Sequence, residues 1–360
     1  MTQIHNSQQA DLIASLRISA KCTILEALRQ LNETGKKVLL VVVGETLVGV
    51  LTDGDIRRHI LANGDLSLPL SSIMKTKPIV LHAGDKAKAK RIFKKKAITA
   101  IPVVDALNRV VEILFIEDVI EGDVQETPTI DLPVVIMAGG EGTRLYPYTK
   151  VLPKPLIPIG DTPIIERIMN RFFDFGCRQF FVTVNYRKNM IKAYLNESEL
   201  PYDIHFVEES KPLGTGGSLA FLKGIIQRTF ILSNCDILVD ANMAEIVAHH
   251  NQNKHLVTIV AALRHHVIPY GVIEVNEDGN VSNMIEKPEY NMLVNTGVYI
   301  IEPELLVQIE DDTFIHITQV IEKAVQRGER IGVYPISDNA WFDMGQLDEM
   351  ERMYEHFEKS

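Results

Sequence analysis

Pro133-Val-Val-Ile-Met-Ala-Gly-Gly-Glu-Gly-Thr-Arg-Leu-Tyr-Pro-Tyr-Thr149 is the stretch on which the reading of this chain turns. Pro133–Met137 is an apolar run of strand length that opens into Ala138-Gly139-Gly140, as a buried parallel strand does when it meets a loop. Gly139, Gly140 and Gly142 fall within four positions. Glycine lets the backbone come close to a ligand, and successive N–H groups in such a turn can cradle phosphates. Arg144 adds a planar fork of donors able to spread phosphate charge. Two familiar phosphate loops do not fit. A P-loop ends in Gly-Lys-Ser/Thr, where this chain has Gly142-Thr143-Arg144, and a dinucleotide fingerprint needs a glycine where Leu145 stands. Taken alone, the segment reads equally as a structural turn or a phosphate loop. Leu152-Pro-Lys-Pro-Leu156 follows, and its prolines aim Lys154 at little entropic cost; the plain alternative is an exposed lysine in a proline-rich turn.

Strand-like runs recur downstream at Phe180–Val184, Ile204–Val207, Thr229–Ser233, Val257–Ala262 and Gly297–Ile301. Helical stretches such as Pro163–Phe175 and Gly216–Ile226 lie between several of them. This alternation predicts a doubly wound, Rossmann-like α/β domain with a mixed, mostly parallel sheet that binds ligands at the carboxyl ends of its strands. A chain of 360 residues is too long for one ordinary core, so a second module is expected. Hydrophobic and charged shares of 46% and 23% are those of a globular protein, not a disordered one.

The loop Ala138–Thr149 followed by Pro153–Pro155 resembles the signature of the sugar-1-phosphate nucleotidyltransferases, and the resemblance runs from about Pro133 to the last residue. It implies that the loop, with Ala138, Gly139, Gly140, Gly142 and Thr143, binds a nucleoside triphosphate, that Arg144 steadies its phosphates and that Lys154 contacts them during transfer. Leu213-Gly-Thr-Gly-Gly-Ser218 resembles the loop that holds base and ribose, through Gly214, Thr215 and Gly216; the plain reading is a helix start capped by Thr215 or Ser218. Asn185, at another strand end, is assigned to the same pocket. Asp236 in Ser233-Asn-Cys-Asp236 and Asp343 in Trp341-Phe-Asp-Met-Gly345 match the family's two magnesium ligands, and two carboxylates plus substrate phosphates are the usual way Mg²⁺ is held. Gly271, Glu286, Lys287, Asn295 and Thr296 match the half that receives the sugar phosphate, although a Glu-Lys pair is also an ordinary solvated surface pair. The implied reaction is one in-line displacement at the α-phosphorus, driven by alignment and charge stabilisation. A catalytically silent sensing or scaffolding subunit is the competing reading; the joint presence of Arg144, Lys154, Asp236 and Asp343 favours an enzyme.

The first third carries a weak internal repeat of helix, strand, strand and helix. Thr23–Leu31, Val38–Val43, Leu47–Leu51 and Asp53–Leu61 are answered by Lys86–Ala97, Ile101–Val104, Val110–Phe115 and a short helix from Glu117. Gly49-Val-Leu-Thr-Asp-Gly-Asp-Ile-Arg57, Ser71-Ser-Ile-Met74 and Ile101-Pro-Val-Val-Asp105 resemble parts of two tandem CBS motifs. The resemblance implies an adenine or guanine nucleotide held by Thr52, Asp55 and Asp118; Phe115 stands where the second threonine belongs, so one site is expected to be lost. A purely structural or dimerising module is the alternative. The expected organisation is 1–64 and 65–124 for the two motifs, 125–132 for an acidic linker, and 133–360 for the nucleotidyltransferase domain. CBS pair followed by nucleotidyltransferase resembles the glucosamine-1-phosphate guanylyltransferases of legionaminic-acid biosynthesis. That implies GTP and an amino or acetamido hexose-1-phosphate, with mannose- or glucose-1-phosphate as alternatives.

A net charge of −10 argues against a general nucleic-acid binder. Seven basic residues between Lys86 and Lys96 are interleaved with Ala87, Ala89, Ile92 and Phe93, which reads as a helix with a solvated basic face. Cys22, Cys177 and Cys235 are widely spaced, and no apolar run is long enough for a signal or membrane segment, so a cytoplasmic protein is expected; the resemblance to CBS pairs, which often associate, implies a homo-oligomer. The adjacent pairs His249-His250 and His265-His266 are expected on the surface.

Overall fold

The structure is a computed structural model that describes residues 2–96, 98–119, 129–345, 350, 353 and 354. It divides into two compact units, Met1–Glu126 and Thr127–Ser360.

The first unit begins with α1 (Thr2–Leu16), which the polar sequence does not announce; its Ile13 and Leu16 are buried. Then come β1 (Arg17–Ser19), α2 (Ile24–Thr34), β2 (Val38–Val43), β3 (Thr46–Thr52) and α3 (Asp53–Leu61). Thr23 and Glu26 form a capping box at the start of α2, Gly35 ends it at φ 62°, and Ile24, Ala27, Leu28 and Leu31 are its buried face. β1 is parallel to β2, and β2 antiparallel to β3. The second half repeats this pairing with β4 (Leu81–His82), β5 (Ala100–Val104) and β6 (Val110–Phe115), accompanied by α4 (Ala89–Lys95) and α5 (Ile116–Val119). Ala89 and Phe93 face inward on α4, while Lys88, Lys90, Arg91 and Lys96 are exposed; the side chains of Lys86, Lys94 and Lys95 lie outside the described residues.

The second unit starts with β7 (Val134–Met137), β8 (Pro158–Ile159), β9 (Thr162–Pro163), α6 (Ile164–Phe173), β10 (Gln179–Val184), α7 (Lys188–Glu197) and β11 (Asp203–Glu208). It continues with α8 (Gly214–Gly217), β12 (Phe230–Asn234), β13 (Ile237–Val239), α9 (Met243–Asn253), β14 (Val257–Val267), β15 (Val272–Val275) and β16 (Val281–Ile285). The last elements are β17 (Glu289–Ile301), α10 (Glu304–Val307), α11 (Ile317–Gln326), β18 (Ile331–Ser337) and β19 (Trp341–Asp343). Seven strands form one sheet in the order β11-β10-β7-β12-β17-β14-β18. All neighbours are parallel except the two pairings of β17. The mixed, mostly parallel sheet read from the sequence is therefore observed. Alternation along β7 sends Val134 and Ile136 into one core, with Ile165 and Phe172 of α6 and Ile246 of α9. Val135 and Met137 enter the other core, with Leu305 of α10 and Ile321 of α11. This three-layer packing leaves the loops after β7, β10, β11 and β12 at one end of the sheet.

Two expectations are corrected. Gly216–Ile226 is not one helix: α8 is a single turn, followed by a 3-10 turn over Ser218–Leu222. A Cβ at Gly217 would stand 2.2 Å from the Thr313 carbonyl, so the glycines serve close backbone packing and not helix continuation. His250 is not on the surface. It shares a face of α9 with Ile246 and Val247 and is fully buried, its ring 2.8 Å from Thr258 Oγ1 and 2.9 Å from Glu302 Oε1. Among the described residues no helix is long and apolar enough to cross a membrane.

Candidate active site

β7 ends mid-sheet, so its glycine loop leaves among the carboxyl ends of parallel strands. Ala138 is buried, its N–H donating to the Thr183 carbonyl at 3.1 Å. Gly142 has φ 67°, and a Cβ there would lie 3.0 Å from both Lys154 Cβ and Thr149 Cγ2. Glycine is thus required by the dihedral and again by the close passage of the lysine segment. A Cβ on Gly140 would meet nothing within 4 Å, which leaves that backbone open to a ligand. Thr143, Arg144 and Leu145 make a 3-10 turn anchored by buried Leu145, with Thr143 and Arg144 exposed.

A second 3-10 turn spans Tyr148–Lys150, and Lys154 begins a third; it is buried, its ammonium paired with the carboxylate of Asp236. Asp236 and Asp343 are brought together by a small ribbon. β13 pairs antiparallel with β19, Ile237 opposite Asp343, and the Met344 N–H donates to the Asp236 carbonyl at 3.0 Å. The Asp343 carboxylate accepts the Gly345 N–H at 2.7 Å. A Cβ on Gly345 would lie 2.8 Å from Asp343 Oδ1 and 3.1 Å from each terminal nitrogen of Arg144, so the guanidinium stands beside that carboxylate. Burial pushes the Asp343 carboxyl up and the nearby Asp236 adds to this, against the Gly345 N–H, Lys154 and Arg144. Arg144, Asp236 and Asp343 open onto a cavity of about 320 Å³ that also includes Thr215, Asn295 and Thr296.

The loop Leu213–Ser218, expected from the resemblance to hold base and ribose, is itself held by the segment before α11. Gly216 and Gly217 donate to the Ile315 carbonyl at 2.9 and 3.0 Å, and Gly214, at φ 73°, passes so near that a Cβ would sit 2.7 Å from that oxygen. Thr215 does not cap its own turn; its hydroxyl accepts the first N–H of α11, from Ile317, at 3.1 Å. Asn295 donates to Tyr299 Oη at 2.7 Å, and the Thr296 hydroxyl donates to the Val260 carbonyl at 2.8 Å, so Thr296 spends its proton on the sheet. Gly271, Glu286 and Lys287 lie outside the cavity lining, at the base of the β15–β16 hairpin, where a Cβ on Gly271 would be 3.0 Å from Glu286 Oε2.

One residue of this region escapes sequence reading. Glu209, just beyond β11, is buried, and its Oε1 is 3.0 Å from the position of a Gly139 Cβ. Its Oε2 accepts the Leu213 N–H at 3.3 Å, while its carbonyl takes a hydrogen bond from Asn185 Nδ2 at 3.2 Å. Burial raises its carboxyl, opposed by Leu213 and Ser218. A buried acceptor is thereby set against the first glycine of the loop, next to Asn185.

In the first unit Thr52 and Asp55 meet as the capping box of α3, Thr52 N–H to Asp55 Oδ2 at 2.9 Å, and Asp55 also pairs with Arg58. At the equivalent strand end of the repeat, Phe115 is buried beneath the Lys36 ammonium, 4.7 Å from the ring centre. The side chain of Asp118 lies outside the described residues.

The CBS domain family matches residues 15–62. A mannose-1-phosphate guanylyltransferase catalytic subunit beta of Drosophila pseudoobscura pseudoobscura is 34% identical over 222 residues, 59% of this chain and 58% of that protein. A bifunctional protein GlmU of Methanococcus maripaludis is 27% identical, covering 59% of this chain and 51% of its own length. The chain thus spans about half to three-fifths of the length of the curated relatives it matches. A crystal structure of HddC from Yersinia pseudotuberculosis complexed with GMP-PN, 22% identical, superposes with TM-score 0.51 over 63% of this chain and 99% of that one, a likeness of fold. The Nucleotidyl transferase family matches residues 133–360. A match over well more than half of its length makes this protein a member of the nucleotidyl transferase family.

Proposed function

We propose that the second unit transfers a nucleoside monophosphate from GTP to a hexose-1-phosphate, releasing pyrophosphate and forming a nucleoside-diphosphate sugar. The observation that carries this reading is that Arg144, Asp236 and Asp343 line one cavity, with Lys154, outside the lining, paired to Asp236 and packed against Gly142 of the glycine loop. Burial, and next the neighbouring Asp236, push the Asp343 carboxyl up, a setting that a hard dication relieves, and carboxylate oxygens suit Mg²⁺. Among the described residues no group of three or more His, Cys, Asp or Glu could hold a metal, so phosphates and water would complete its shell. When bound between Asp236 and Asp343, the ion would neutralise phosphate charge.

The chain's own groups align and stabilise. The glycine loop offers N–H donors to the phosphate tail, Gly140 with least obstruction. A sugar-phosphate oxygen attacks the α-phosphorus; the new P–O bond forms as the bond to the β-phosphate oxygen breaks, and the electron pair leaves with pyrophosphate. The attacking phosphate is already ionised near neutrality, so no general base is needed. Lys154 and Arg144 stabilise the charge that accumulates on the phosphoryl oxygens.

Glu209 supports guanine. Guanine presents two adjacent donors, N1–H and the N2 amino group, on one edge, and a buried acceptor-only carboxylate answers them in a way it cannot answer uracil, thymine or cytosine. The names of the mannose-1-phosphate guanylyltransferase relatives agree with GTP. For the sugar we favour glucosamine-1-phosphate or a close hexose-1-phosphate, on the order of modules. We assign the first unit a regulatory or assembling role, with Thr52 and Asp55 as the nucleotide-facing pair. The three free cysteines fit a reducing, cytoplasmic setting. The test is a matrix of triphosphates against sugar-1-phosphates with Mg²⁺, scored by pyrophosphate release. Release with GTP and an amino or neutral hexose-1-phosphate, abolished by chelation and restored by Mg²⁺, is expected. No release from any pair would overturn the reading.

A further inference from the structure

Asn185-Tyr-Arg187 leaves β10 at the carboxyl end of the sheet, and Arg187 opens α7 with φ 48°. A long side chain held in the left-handed region marks a position where surrounding contacts over-determine the backbone. Here those contacts run to the segment that joins Arg144 to Lys154. Arg187 Nη2 donates to the Lys150 carbonyl at 2.6 Å and Nη1 to the Val151 carbonyl at 3.2 Å. Nε donates to Tyr186 Oη at 3.0 Å, and that hydroxyl donates in turn to the Thr149 carbonyl at 3.4 Å. Three successive carbonyls at the end of the Tyr148–Lys150 turn are thus received by two side chains. A helical turn leaves its last carbonyls without a donor of its own, and a planar fork can take two of them at once.

The same tripeptide grips the glycine loop at its other end. The Tyr186 N–H donates to the Gly139 carbonyl at 3.3 Å. Between the two anchors the segment is locked on itself. Thr149 is fully buried, and its hydroxyl donates to the Gly142 carbonyl at 3.0 Å. A shift at Lys150 or Val151 therefore displaces Thr149 and Gly142 on one side, with Arg144 between them, and Pro153-Lys154 on the other.

We propose that Arg187, acting with Tyr186, is a positioning residue for transfer: it fixes the segment 142–154 so that Arg144 and Lys154 meet the triphosphate already oriented. This rests on the reading of those two cations as the groups that face the phosphates. Neither Tyr186 nor Arg187 lines the cavity, so both act through the backbone and not on substrate. An ordinary surface arginine is the plain alternative. Against it stand the left-handed backbone and the commitment of all three guanidinium nitrogens to one segment and its tyrosine. Orienting charged groups beforehand matters most as charge moves onto the phosphoryl oxygens, and a displacement of about 1 Å can cost about a hundredfold in rate. Asn295 and Thr296 stand on β17, outside the clamp, so the sugar end should not feel its loss.

The test compares the full chain with Arg187→Met, Arg187→Lys and Tyr186→Phe. Arg187 is exposed, so its variants should melt within about 3 °C of wild type, which checks folding. With GTP, Mg²⁺ and a hexose-1-phosphate, Arg187→Met should lower kcat about tenfold to a hundredfold and raise KM for GTP about threefold or more. KM for the sugar phosphate should change by less than about twofold. Arg187→Lys keeps the charge and loses the fork, and Tyr186→Phe loses one hydroxyl, so both should fall between. A residue that only supported the fold would lower the melt and leave both KM values in place. Calorimetric titration of GTP with Mg²⁺, without sugar phosphate, should show the same weakening without turnover. Trypsin gives a readout free of substrate. The Lys150–Val151 bond is exposed and its carbonyl is the one held by Nη2, so cleavage there should run about fivefold faster or more in Arg187→Met. Wild-type kcat and KM in folded Arg187→Met, an equal rise in both KM values, or unchanged cleavage at Lys150 would overturn the proposal. Absence of transfer by the wild type would instead overturn the activity, and the cleavage rates would still decide the clamp.

Discussion

Glu209→Gln isolates the proposed reader of the base from everything that performs transfer. The substitution keeps shape and volume, and the glutamine oxygen can still accept the Leu213 N–H now held at 3.3 Å. What changes is the atom beside Gly139, where an acceptor becomes an N–H₂ donor in half of the amide's orientations. Against guanine this removes one charge-assisted hydrogen bond, about 1.5–3 kcal/mol, and leaves a buried donor facing a donor, about 1–3 kcal/mol. The sum is about 2.5–6 kcal/mol, or roughly two to four and a half orders of magnitude in kcat/KM for GTP. A pyrimidine with a carbonyl on that edge loses nothing and gains a partner, so activity with UTP or dTTP should hold or rise. The assay is kcat/KM for GTP and UTP with one sugar phosphate, reported as a ratio. Thermal unfolding should shift by less than about 4 °C. A GTP-to-UTP ratio that moves less than threefold in a folded variant would refute the assignment of Glu209.

Asp236→Asn should lower kcat by about a hundredfold or more, because several kcal/mol of charge stabilisation depend on the acid pair, while circular dichroism stays that of wild type; ordinary turnover at millimolar Mg²⁺ removes Asp236 from the mechanism. Gly142→Ala should cost about 2–4 kcal/mol, from the left-handed φ and two contacts at 3.0 Å, whereas Gly140→Ala, with nothing within 4 Å, should leave stability alone and act only on nucleotide binding; chemical denaturation separates them. Burial, with His249, His250 and Arg330 nearby, pushes His255 down to about 4 from its usual 6.5. The unfolded chain therefore takes up that proton first as pH falls, so the stabilisation is complete above about 6.5 and is lost between there and about 4. Discounted for its exposure this is about 1 kcal/mol, and His255→Gln should flatten that part of the stability curve measured in urea.

The parts of the site written in contiguous sequence were legible from it. Gly142 announces a left-handed turn, and the apolar runs at Val134–Met137 and Phe180–Val184 announce buried parallel strands. The meeting of Asp236 with Asp343 depends on the register of β13 against β19, which no local pattern encodes; the family resemblance supplied the pairing that geometry now carries. Glu209 was hidden because Glu208-Glu209-Ser210-Lys211 looks like a solvated loop, and only tertiary packing separates exposed Glu208, held by Lys188 and Lys192, from its buried neighbour. Its signal was position: an acid at a strand end four residues before Leu213. His250 likewise gave a clue, falling three and four residues after Val247 and Ile246, the spacing of a single helical face. Thr215 could not be read as the cap of α11, because that helix lies a hundred residues onward.

The β13–β19 ribbon separates two events in the life of the polypeptide. All seven strands of the main sheet are complete in the chain by Ser337, whereas Asp343 comes after it. A message cut short between those two codons would thus specify every strand of the scaffold but only one member of the acid pair.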